Sequence, residues 1–294
     1  LGNVVVVDRW TGSTQETRGR DGFADTVYAA DQRGAVWKFD LRGTSAPSRP
    51  LFTTQVHRDS DTLNYRQPIM GGLTATTGAS GGVLLLFGTG SFAYTEDGRD
   101  TSVQSLYGVN DIELGQPTTT LTAANLRSIA VTEIDGVRTL TMDTPPENSR
   151  GWTVALPAGE RMVGTPAVTA GVVFMPTYVP NQAVGCSVDG SNYLFGLQAS
   201  TGAAALGRVR FNTPDGQTAG AGAAAVPLST GGNAPVRDVT TAVVPRLGLP
   251  VKQEDDELPP DPPDEVCRMQ ISVAGAPPMY LPYPCGRQSW RQIQ

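Results

Sequence analysis

The stretch of sequence that most constrains the fold runs from residue 21 to residue 41 and reads DGFADTVYAADQRGAVWKFDL. Two runs rich in β-branched and aromatic residues, 26–30 and 35–39, flank a short Gln-Arg-Gly turn at 32–34. Strand-forming runs separated by a tight, glycine-containing turn are typical of a β-hairpin. We therefore expect an antiparallel hairpin here, of the kind that forms one edge of a β-propeller blade.

Variants of this strand ending recur along the chain, each with an apolar or aromatic strand that runs into a polar residue near a glycine. The polar residues are Asp8, Asp31, Asp111 and Gln198. Their spacings of 23, 80 and 87 residues are irregular. A propeller tolerates irregular spacing, because an insertion extends from its blade as a surface loop and does not disturb the packed faces. The pattern favours a propeller in which Tyr28, Tyr107 and Tyr193 lie in separate, radially placed sheets. Four unrelated hairpins in a β-sandwich are the alternative.

Further strand signals agree with an all-β chain. Residues 82–90 form an apolar run bounded by glycines, which predicts a strand buried on both faces. The Asp-Gly dipeptide at 135–136 predicts a hairpin turn, and the apolar runs at 163–168 and 172–178 predict another hairpin. Gly and Pro number 34 and 23 of the 294 residues, an excess over average usage that suits many short strands and turns.

These signals predict an all-β fold, a modified quinoprotein-like β-propeller with long loop insertions. The chain starts at Leu1 in the approach to a strand, without an initiator Met or a signal peptide, so we expect the C-terminal part of a longer protein and of a larger ring. Propeller blades are expected over residues 1–251, with a low-complexity insertion at 203–236 in which residues 212–236 bury little apolar surface. An acidic, Pro-rich linker is expected at 252–266, and a closing strand segment at 267–294.

The distribution of charge and apolar residues bears on possible partners. The net charge is −6, and residues 252–265 alone hold seven carboxylates and one lysine, so the remainder is near neutral. A nucleic-acid binder needs a clustered basic face to neutralise phosphates, and the sequence has no such cluster. Its longest apolar run has the length of a strand, well short of the roughly 18 residues that span a bilayer. We therefore expect neither a nucleic-acid partner nor a membrane span in this chain.

The cysteines and the single histidine restrict the possible metal chemistry. Cys186, Cys267 and Cys285 lack C-x-x-C spacing, and with only His57 beside them they cannot furnish a zinc site of the usual type. Cys267 and Cys285 lie 18 residues apart across a Pro-rich segment. A disulfide between them would stabilise the chain by about 3 kcal/mol and would indicate an oxidising compartment. Three buried thiols are the alternative.

The loop before the first hairpin is the candidate metal site. A calcium loop places oxygen ligands at alternate positions with glycine at the sharp turn, in a pattern such as D-x-D-x-D-G-x-x-D. The sequence contains the later half of this pattern in Asp21 and Asp25, with the Phe23 carbonyl between them. Thr17 and Gly19 stand where the first two carboxylates belong. The pattern predicts a degenerate calcium loop, with an Asp-capped turn as the alternative.

The sequence shows no catalytic constellation. His57 has Asp59 and Asp61 nearby, but within its loop at 43–64 no serine stands in a strained G-x-S-x-G turn of the kind that presents a nucleophile. We therefore expect a protein without enzymatic activity.

Four groups of motifs, taken in their order along the chain, resemble one known family. They are residues 21–41; Gln67-Pro68-Ile69; 87–90 with Asp100-Thr101, Gln104, Tyr107-Gly108 and Asp111; and 286–291. Together they look like the C-terminal β-propeller of the PilY family, the type IV pilus tip-associated adhesins and assembly factors. The resemblance covers residues 21–111 well, 193–202 less well, and 112–150 and 203–265 hardly at all.

The resemblance implies an exported protein at the cell surface, at the pilus tip or associated with the outer membrane. It implies a role in pilus extension, surface attachment and twitching motility, with minor pilins of the pilus tip complex and a host or abiotic surface as partners. Members of the family often bind calcium in the loop that here holds Asp21, Phe23 and Asp25. Calcium regulation is therefore implied too, although Thr17 and Gly19 depart from the family pattern.

A quinoprotein-like dehydrogenase is the alternative function. The sequences D-x-x-T-G at residues 8–12 and A-S-T-G at 199–202 resemble the blade motif of that superfamily. Such an enzyme needs a complete ring around its cofactor and usually carries a distinctive disulfide beside it. The chain has no adjacent cysteines and no evenly spaced Trp-bearing repeats, which favours the pilus role.

Overall fold

The computed structural model describes nine segments of the chain and places them in an almost entirely β fold. The described residues are 3–9, 22–43, 46–58, 64–134, 137–181, 190–213, 216–230, 234–244 and 266–284. They form twenty strands and three short 3-10 helices, at Ala79–Gly81, Thr95–Arg99 and Ala123–Asn125. No helix in these segments has the length and apolar character needed to cross a membrane. The prediction of an all-β fold is confirmed.

The strands are short and follow one another through turns and loops. In chain order they are β1 (Val4–Val7), β2 (Thr26–Ala30), β3 (Ala35–Asp40), β4 (Phe52–Thr53), β5 (Val56–Arg58), β6 (Asn64–Arg66), β7 (Leu73–Thr77), β8 (Val83–Gly88), β9 (Ser105–Asp111), β10 (Arg127–Ile134), β11 (Val137–Met142), β12 (Gly151–Ala155), β13 (Ala167–Thr169), β14 (Val172–Pro180), β15 (Gly190–Gln198), β16 (Arg210–Phe211), β17 (Ala225–Leu228), β18 (Val239–Val244), β19 (Val266–Val273) and β20 (Met279–Pro284).

Hydrogen bonding groups these strands into three large sheets and one small hairpin. The strand orders are β1-β2-β3-β4, β13-β14-β15-β17-β11-β10-β12-β9-β8-β7, β16-β20-β19-β18 and the pair β5-β6. The ten-stranded sheet contains two antiparallel four-stranded units. We call the four-stranded units blade A (β1 to β4), blade B (β7, β8, β9 and β12), blade C (β13, β14, β15 and β17) and blade D (β16, β18, β19 and β20).

The β10–β11 hairpin links blades B and C. Strand β10 pairs in parallel with β12 of blade B, and β11 meets β17 of blade C at one residue pair, Arg138 with Ala225. Tyr28 lies in blade A, Tyr107 in blade B and Tyr193 in blade C. The prediction of separate sheets holds for Tyr28. It is wrong for Tyr107 and Tyr193, because this hairpin makes the hydrogen bonding continuous between their blades.

The four blades neighbour one another in the order A, B, C and D. One edge strand of each blade, β1, β7, β13 or β18, packs beside that of the next blade in this order. A separate hydrophobic cluster fills each space between successive blades. Representative members are Tyr28, Phe52 and Phe87 between A and B, Trp152 and Phe195 between B and C, and Phe174, Met269 and Ile271 between C and D. Successive small sheets packed face to face are the arrangement of a propeller, so the propeller-like prediction is confirmed.

The predicted first hairpin forms as β2 and β3. Asp31 Oδ1 accepts hydrogen bonds from the backbone N–H groups of Arg33 and Ala35, which fixes the turn. Gly34 has a φ of 74°, and a Cβ atom at this position would lie 2.1 Å from Thr54 Oγ1. The turn therefore requires glycine, both for its backbone conformation and for its close contact with the segment that holds Thr54.

The other strand predictions are also confirmed. Strand β8 is buried along its whole length. Strands β10 and β11 pair through Ile134 and Val137, on either side of the predicted Asp-Gly turn. Strands β13 and β14 form the second predicted hairpin, with Ala170 and Gly171 at positive φ in its turn.

The prediction of a low-complexity insertion at 203–236, with little apolar surface buried by residues 212–236, is wrong. Strand β17 pairs with β15 and completes blade C, and Leu206, Ala223 and Val226 are buried in the cluster between blades C and D. Alanine and glycine are often fully buried when a strand packs closely on its neighbours, so a small-residue composition does not indicate exposure. The described part of 267–294 lies in β19 and β20 of blade D, and residues 252–265 lie outside the described segments.

Candidate functional site

The predicted calcium loop leads into β2 beside the end of β1. Of its predicted ligands, Asp21 lies outside the described residues, Phe23 is 77% exposed and Asp25 is buried. Asp25 Oδ1 accepts hydrogen bonds from Arg9 N at 3.2 Å and from Thr26 Oγ1 at 2.8 Å. This carboxylate oxygen therefore caps the turn and ties the end of β1 to the start of β2.

Asp8 is a second carboxylate at this loop, and the calcium pattern in the sequence does not include it. Its Oδ2 accepts a hydrogen bond from Gly22 N at 2.9 Å. Within the described segments, no group of three or more His, Cys, Asp or Glu side chains is placed to hold a metal ion. A hard cation needs six to eight oxygen ligands. Calcium at this loop would thus depend on further ligands such as Asp21, and calcium binding stays a prediction.

A buried ionic cluster lies close to this loop, where blade A packs on blade B. We call it the Asp111 cluster, and its members are Arg9, Tyr28, Lys38 and Asp111. Asp111 Oδ2 lies 2.6 Å from Arg9 Nη1 and 2.8 Å from Lys38 Nζ. The same oxygen accepts a hydrogen bond from the Tyr28 hydroxyl at 2.6 Å. One carboxylate oxygen from β9 thus accepts from three donors, which lie in the segment after β1, in β2 and in β3.

Burial changes the protonation equilibria within the Asp111 cluster. Burial raises the pKa of Tyr28 far above its usual value, and the charge of Asp111 adds to this effect. Burial lowers the pKa of Lys38 below its usual value, although the attraction of Asp111 opposes the change. The phenol therefore stays protonated at neutral pH and donates to Asp111. Because its charged groups are engaged with one another across the interface, the cluster joins blade A to blade B.

A second buried ionic cluster lies where the β10–β11 hairpin meets blade C, and we call it the Arg138 cluster. Arg138 Nη1 lies 2.8 Å from each carboxylate oxygen of Glu160, and Arg138 Nε lies 3.0 Å from Glu133 Oε2. Thr177 Oγ1 donates a hydrogen bond to Glu160. The Arg138 guanidinium lies over the Tyr193 ring, 3.5 Å from its centroid. Burial raises the pKa of Glu160, against the effect of the Arg138 charge.

The acidic loop at residues 91–100 is held from inside by Arg161. The guanidinium donates hydrogen bonds to the backbone carbonyls of Ser91 at 3.0 Å and Asp100 at 2.5 Å, and to the carbonyl of Asp97. These carbonyls converge on one cation supplied by the chain itself. The backbone of the loop is therefore fixed at several points by a single side chain.

The Asp97 carboxylate adds a second set of contacts to this loop. Its Oδ2 accepts hydrogen bonds from Ser91 Oγ at 2.6 Å and from the backbone N–H groups of Ala93 and Tyr94. Burial opposes ionisation, but these hydrogen bonds and the charge of Arg161 together lower the pKa of Asp97 below its usual value. The ionised carboxylate therefore stabilises the loop, on which Tyr94 is 62% exposed.

We expect Asp97→Asn to loosen this loop, because the neutral amide is a weaker acceptor than the carboxylate. Exchange of the Ala93 and Tyr94 amide hydrogens should become roughly tenfold faster, the factor that corresponds to about 1.4 kcal/mol. In the unaltered protein the pKa of Asp97 is lower in the folded state than in the unfolded state. The stabilisation of the loop by this carboxylate is therefore complete above about pH 4 and is lost as the pH falls further. Hydrogen-exchange mass spectrometry measures both effects.

Glu96→Gln is the matched control for this loop, because the Glu96 side chain is 82% exposed. Its amide exchange should equal that of the unaltered protein. Equal exchange in Asp97→Asn and Glu96→Gln would contradict the role given to Asp97.

The predicted disulfide falls largely outside the described residues. Cys267 lies in β19, whereas Cys285 and Cys186 belong to segments that the structure does not describe. The pairing of Cys267 with Cys285 stays a prediction.

The sequence is similar to curated type IV pilus proteins, and no protein-family model matches it. It is 33% identical over 330 aligned residues to a type IV pilus biogenesis factor PilY1 homolog of Xylella fastidiosa, with 100% of this chain and 21% of the relative covered. It is 28% identical over 242 residues to the type IV pilus biogenesis factor PilY1 of Pseudomonas aeruginosa, with 66% of this chain and 20% of the relative covered. The chain thus spans about a fifth of the length of these relatives.

The fold also has a solved counterpart. The crystal structure of the Pseudomonas aeruginosa PilY1 C-terminal domain matches with a TM-score of 0.60 at 18% sequence identity, over 96% of this chain and 61% of the solved chain. This likeness concerns the fold, the propeller-like arrangement of blades A to D. The chain is thus similar in sequence along its whole length to a PilY1 homolog, and it has the fold of the PilY1 C-terminal domain.

Proposed function

We propose that this chain is the propeller-like domain of a type IV pilus biogenesis factor. Its similarity, along the whole chain, to a protein named for this role carries the proposal. The Asp111 and Arg138 clusters are consistent with a non-enzymatic role, because their charged groups are engaged with one another. They stabilise contacts between blades and leave the loops as the surface that meets partners.

Within this role, we propose a tip-associated adhesin and assembly factor that promotes pilus extension, surface attachment and twitching motility. The proposed partners are minor pilins of the pilus tip complex and a host or abiotic surface, and the proposed location is the exterior of the cell, at the pilus tip or outer membrane. The loop at 91–100 supports a contact role, because it presents Tyr94 on a backbone that Arg161 fixes. Ordered aromatic side chains contact partners at a low cost in conformational entropy.

The test is a strain whose full-length protein lacks this domain. We expect loss of surface pili, of twitching and of surface attachment, and restoration of all three by the unaltered gene. Sheared-pilin immunoblots, twitching zones and attachment assays measure these outcomes, and immunoblots of the truncated protein verify that it is made and exported. Surface pili at the parental level in that strain would contradict the proposed role.

Calcium regulation is a further part of the proposal and depends on the loop around Asp25. The pilus assays above, repeated with Asp25→Asn and Asp25→Ala at matched calcium concentrations, separate two roles of this carboxylate. The Asn variant retains an acceptor for Arg9 N and Thr26 Oγ1 but removes the charge that a calcium ion needs. If calcium acts through this loop, both variants lose the calcium response. If Asp25 only caps the turn, the Asn variant keeps the calcium response.

A further inference from the structure

The carbonyl groups around Arg161 are arranged as in a cation site. Its guanidinium donates hydrogen bonds to the backbone oxygens of Ser91, Asp97, Asp100 and Gly159. Arg161 is 2% exposed, so these oxygens face a cation in a place that excludes most water. Proteins hold hard cations in the same way, with several oxygens that a loop turns toward one point. We call these four backbone oxygens the carbonyl site.

Two carboxylates add negative charge near the carbonyl site. Burial lowers the pKa of Arg161 below its usual value, but the charges of Asp100 and Asp97 oppose this change and favour the charged form. The Asp100 carboxylate accepts hydrogen bonds from Ser102 N at 2.8 Å and from Ser102 Oγ at 3.0 Å, which hold it in place. Carbonyl dipoles and nearby negative charge both stabilise a cation, so the site discriminates against a neutral group of the same shape.

Arg161 enters the carbonyl site from a backbone that is itself fixed. Arg161 N donates to Tyr178 O at 3.0 Å, and Tyr178 N donates to Arg161 O at 2.8 Å, so this segment is paired with β14 of blade C. The loop at 91–100 also contacts β14 directly, because the Phe92 ring lies edge-on to the Tyr178 ring with 5.0 Å between their centroids. The guanidinium is therefore held where the four carbonyls converge.

We propose that the carbonyl site is a binding site for a guanidinium ion, that Arg161 fills it from within the chain, and that the site binds free guanidinium when this side chain is removed. A cation that is attached to the chain avoids the loss of translational freedom that a free ion undergoes on binding. The order of the loop at 91–100, and with it the position of Tyr94, is then independent of metal ions. The proposal rests on the geometry of the loop and does not depend on the role in pili.

The test is chemical rescue of Arg161→Ala in the full-length protein. Hydrogen-exchange mass spectrometry follows the amides of Ala93 and Tyr94, which donate to the Asp97 carboxylate in the ordered loop. We expect exchange at least about tenfold faster in Arg161→Ala than in the unaltered protein, because the carbonyl site loses its cation. Guanidinium chloride at millimolar concentrations, far below those that denature proteins, should restore most of the lost protection and should saturate. Urea is the matched control, because it has nearly the same planar shape without the charge, and it should restore none.

Equal effects of guanidinium and urea would overturn the proposal, because the site would then not recognise charge. Rescue by calcium chloride and not by guanidinium would overturn it in favour of a metal site. In the unaltered protein, the two amides should exchange at the same rate in calcium and in chelator, and faster exchange in chelator would also contradict the proposal.

A second pair of variants provides the test if Arg161→Ala does not fold. Arg161→Lys keeps the positive charge, whereas Arg161→Gln removes it and keeps a long polar side chain. The amides of Ala93 and Tyr94 should exchange more slowly in Arg161→Lys than in Arg161→Gln. Equal exchange in these two variants would overturn the proposal, because the loop would then be ordered without a cation.

Discussion

Asp111→Asn is expected to lower the free energy of unfolding by about 3–5 kcal/mol, because it removes the only carboxylate that Arg9 and Lys38 share in the Asp111 cluster. The variant leaves two buried cations without their counter-ion, and it places an amide where the Tyr28 hydroxyl donates its hydrogen bond. For a chain of this size the melting temperature should fall on the order of 10 °C. Urea denaturation of the purified protein and scanning calorimetry measure the two quantities.

Two further variants establish that the effect comes from buried charge. Adding Lys38→Met to Asp111→Asn removes one of the stranded cations, so the double variant should recover part of the lost stability. Arg99→Ala breaks an ion pair with Glu96 whose side chains are 84% and 82% exposed, and it should change stability by less than about 0.5 kcal/mol. A loss below about 1 kcal/mol in Asp111→Asn would show that the cluster does not stabilise the contact between blades A and B.

The parts of the fold that the sequence predicts are those with local causes. The hairpin of β2 and β3 depends on Asp31 and Gly34, which lie within the turn they stabilise. Strand β8 is predicted because its own six residues are apolar and buried. In each case the residues that form the element also carry its signal, so no knowledge of distant contacts is needed.

The parts that the sequence misses depend on contacts between distant segments. Asp111 is singled out as a polar strand ending, but its partner Arg9 lies 102 residues away along the chain, and nothing local to either residue indicates the pair. The burial of Ala223 and Val226 likewise comes from strands of blades C and D that pack on them. Composition alone predicts an exposed insertion there, because small residues contribute little apolar area until another sheet covers them.

Arg138→Met is expected to lower the free energy of unfolding by about 3–5 kcal/mol at neutral pH, because it leaves the fully buried Glu160 without its cation. It also removes the cation from the face of the Tyr193 ring. The Arg138 backbone pairs with Ala225, which is the one residue pair between β11 and β17. The substitution should therefore weaken the contact between the β10–β11 hairpin and blade C. Glu133→Gln is the matched control, since Glu133 is 48% exposed and its loss should cost less than about 1 kcal/mol.

The pH dependence of Arg138→Met tests whether its defect comes from the buried charge of Glu160. Burial already raises the pKa of Glu160, and loss of the Arg138 charge should raise it further. A group whose pKa is higher in the folded state binds more protons there, so its contribution to stability is present at low pH and is lost as the pH rises through the folded pKa. The deficit of Arg138→Met relative to the unaltered protein should therefore shrink from about pH 7 to about pH 5, and Arg138→Met combined with Glu160→Gln should show little such change. A deficit that stays constant over this range in Arg138→Met would mean that Glu160 remains ionised without its partner, and that lost packing, not stranded charge, weakens the junction.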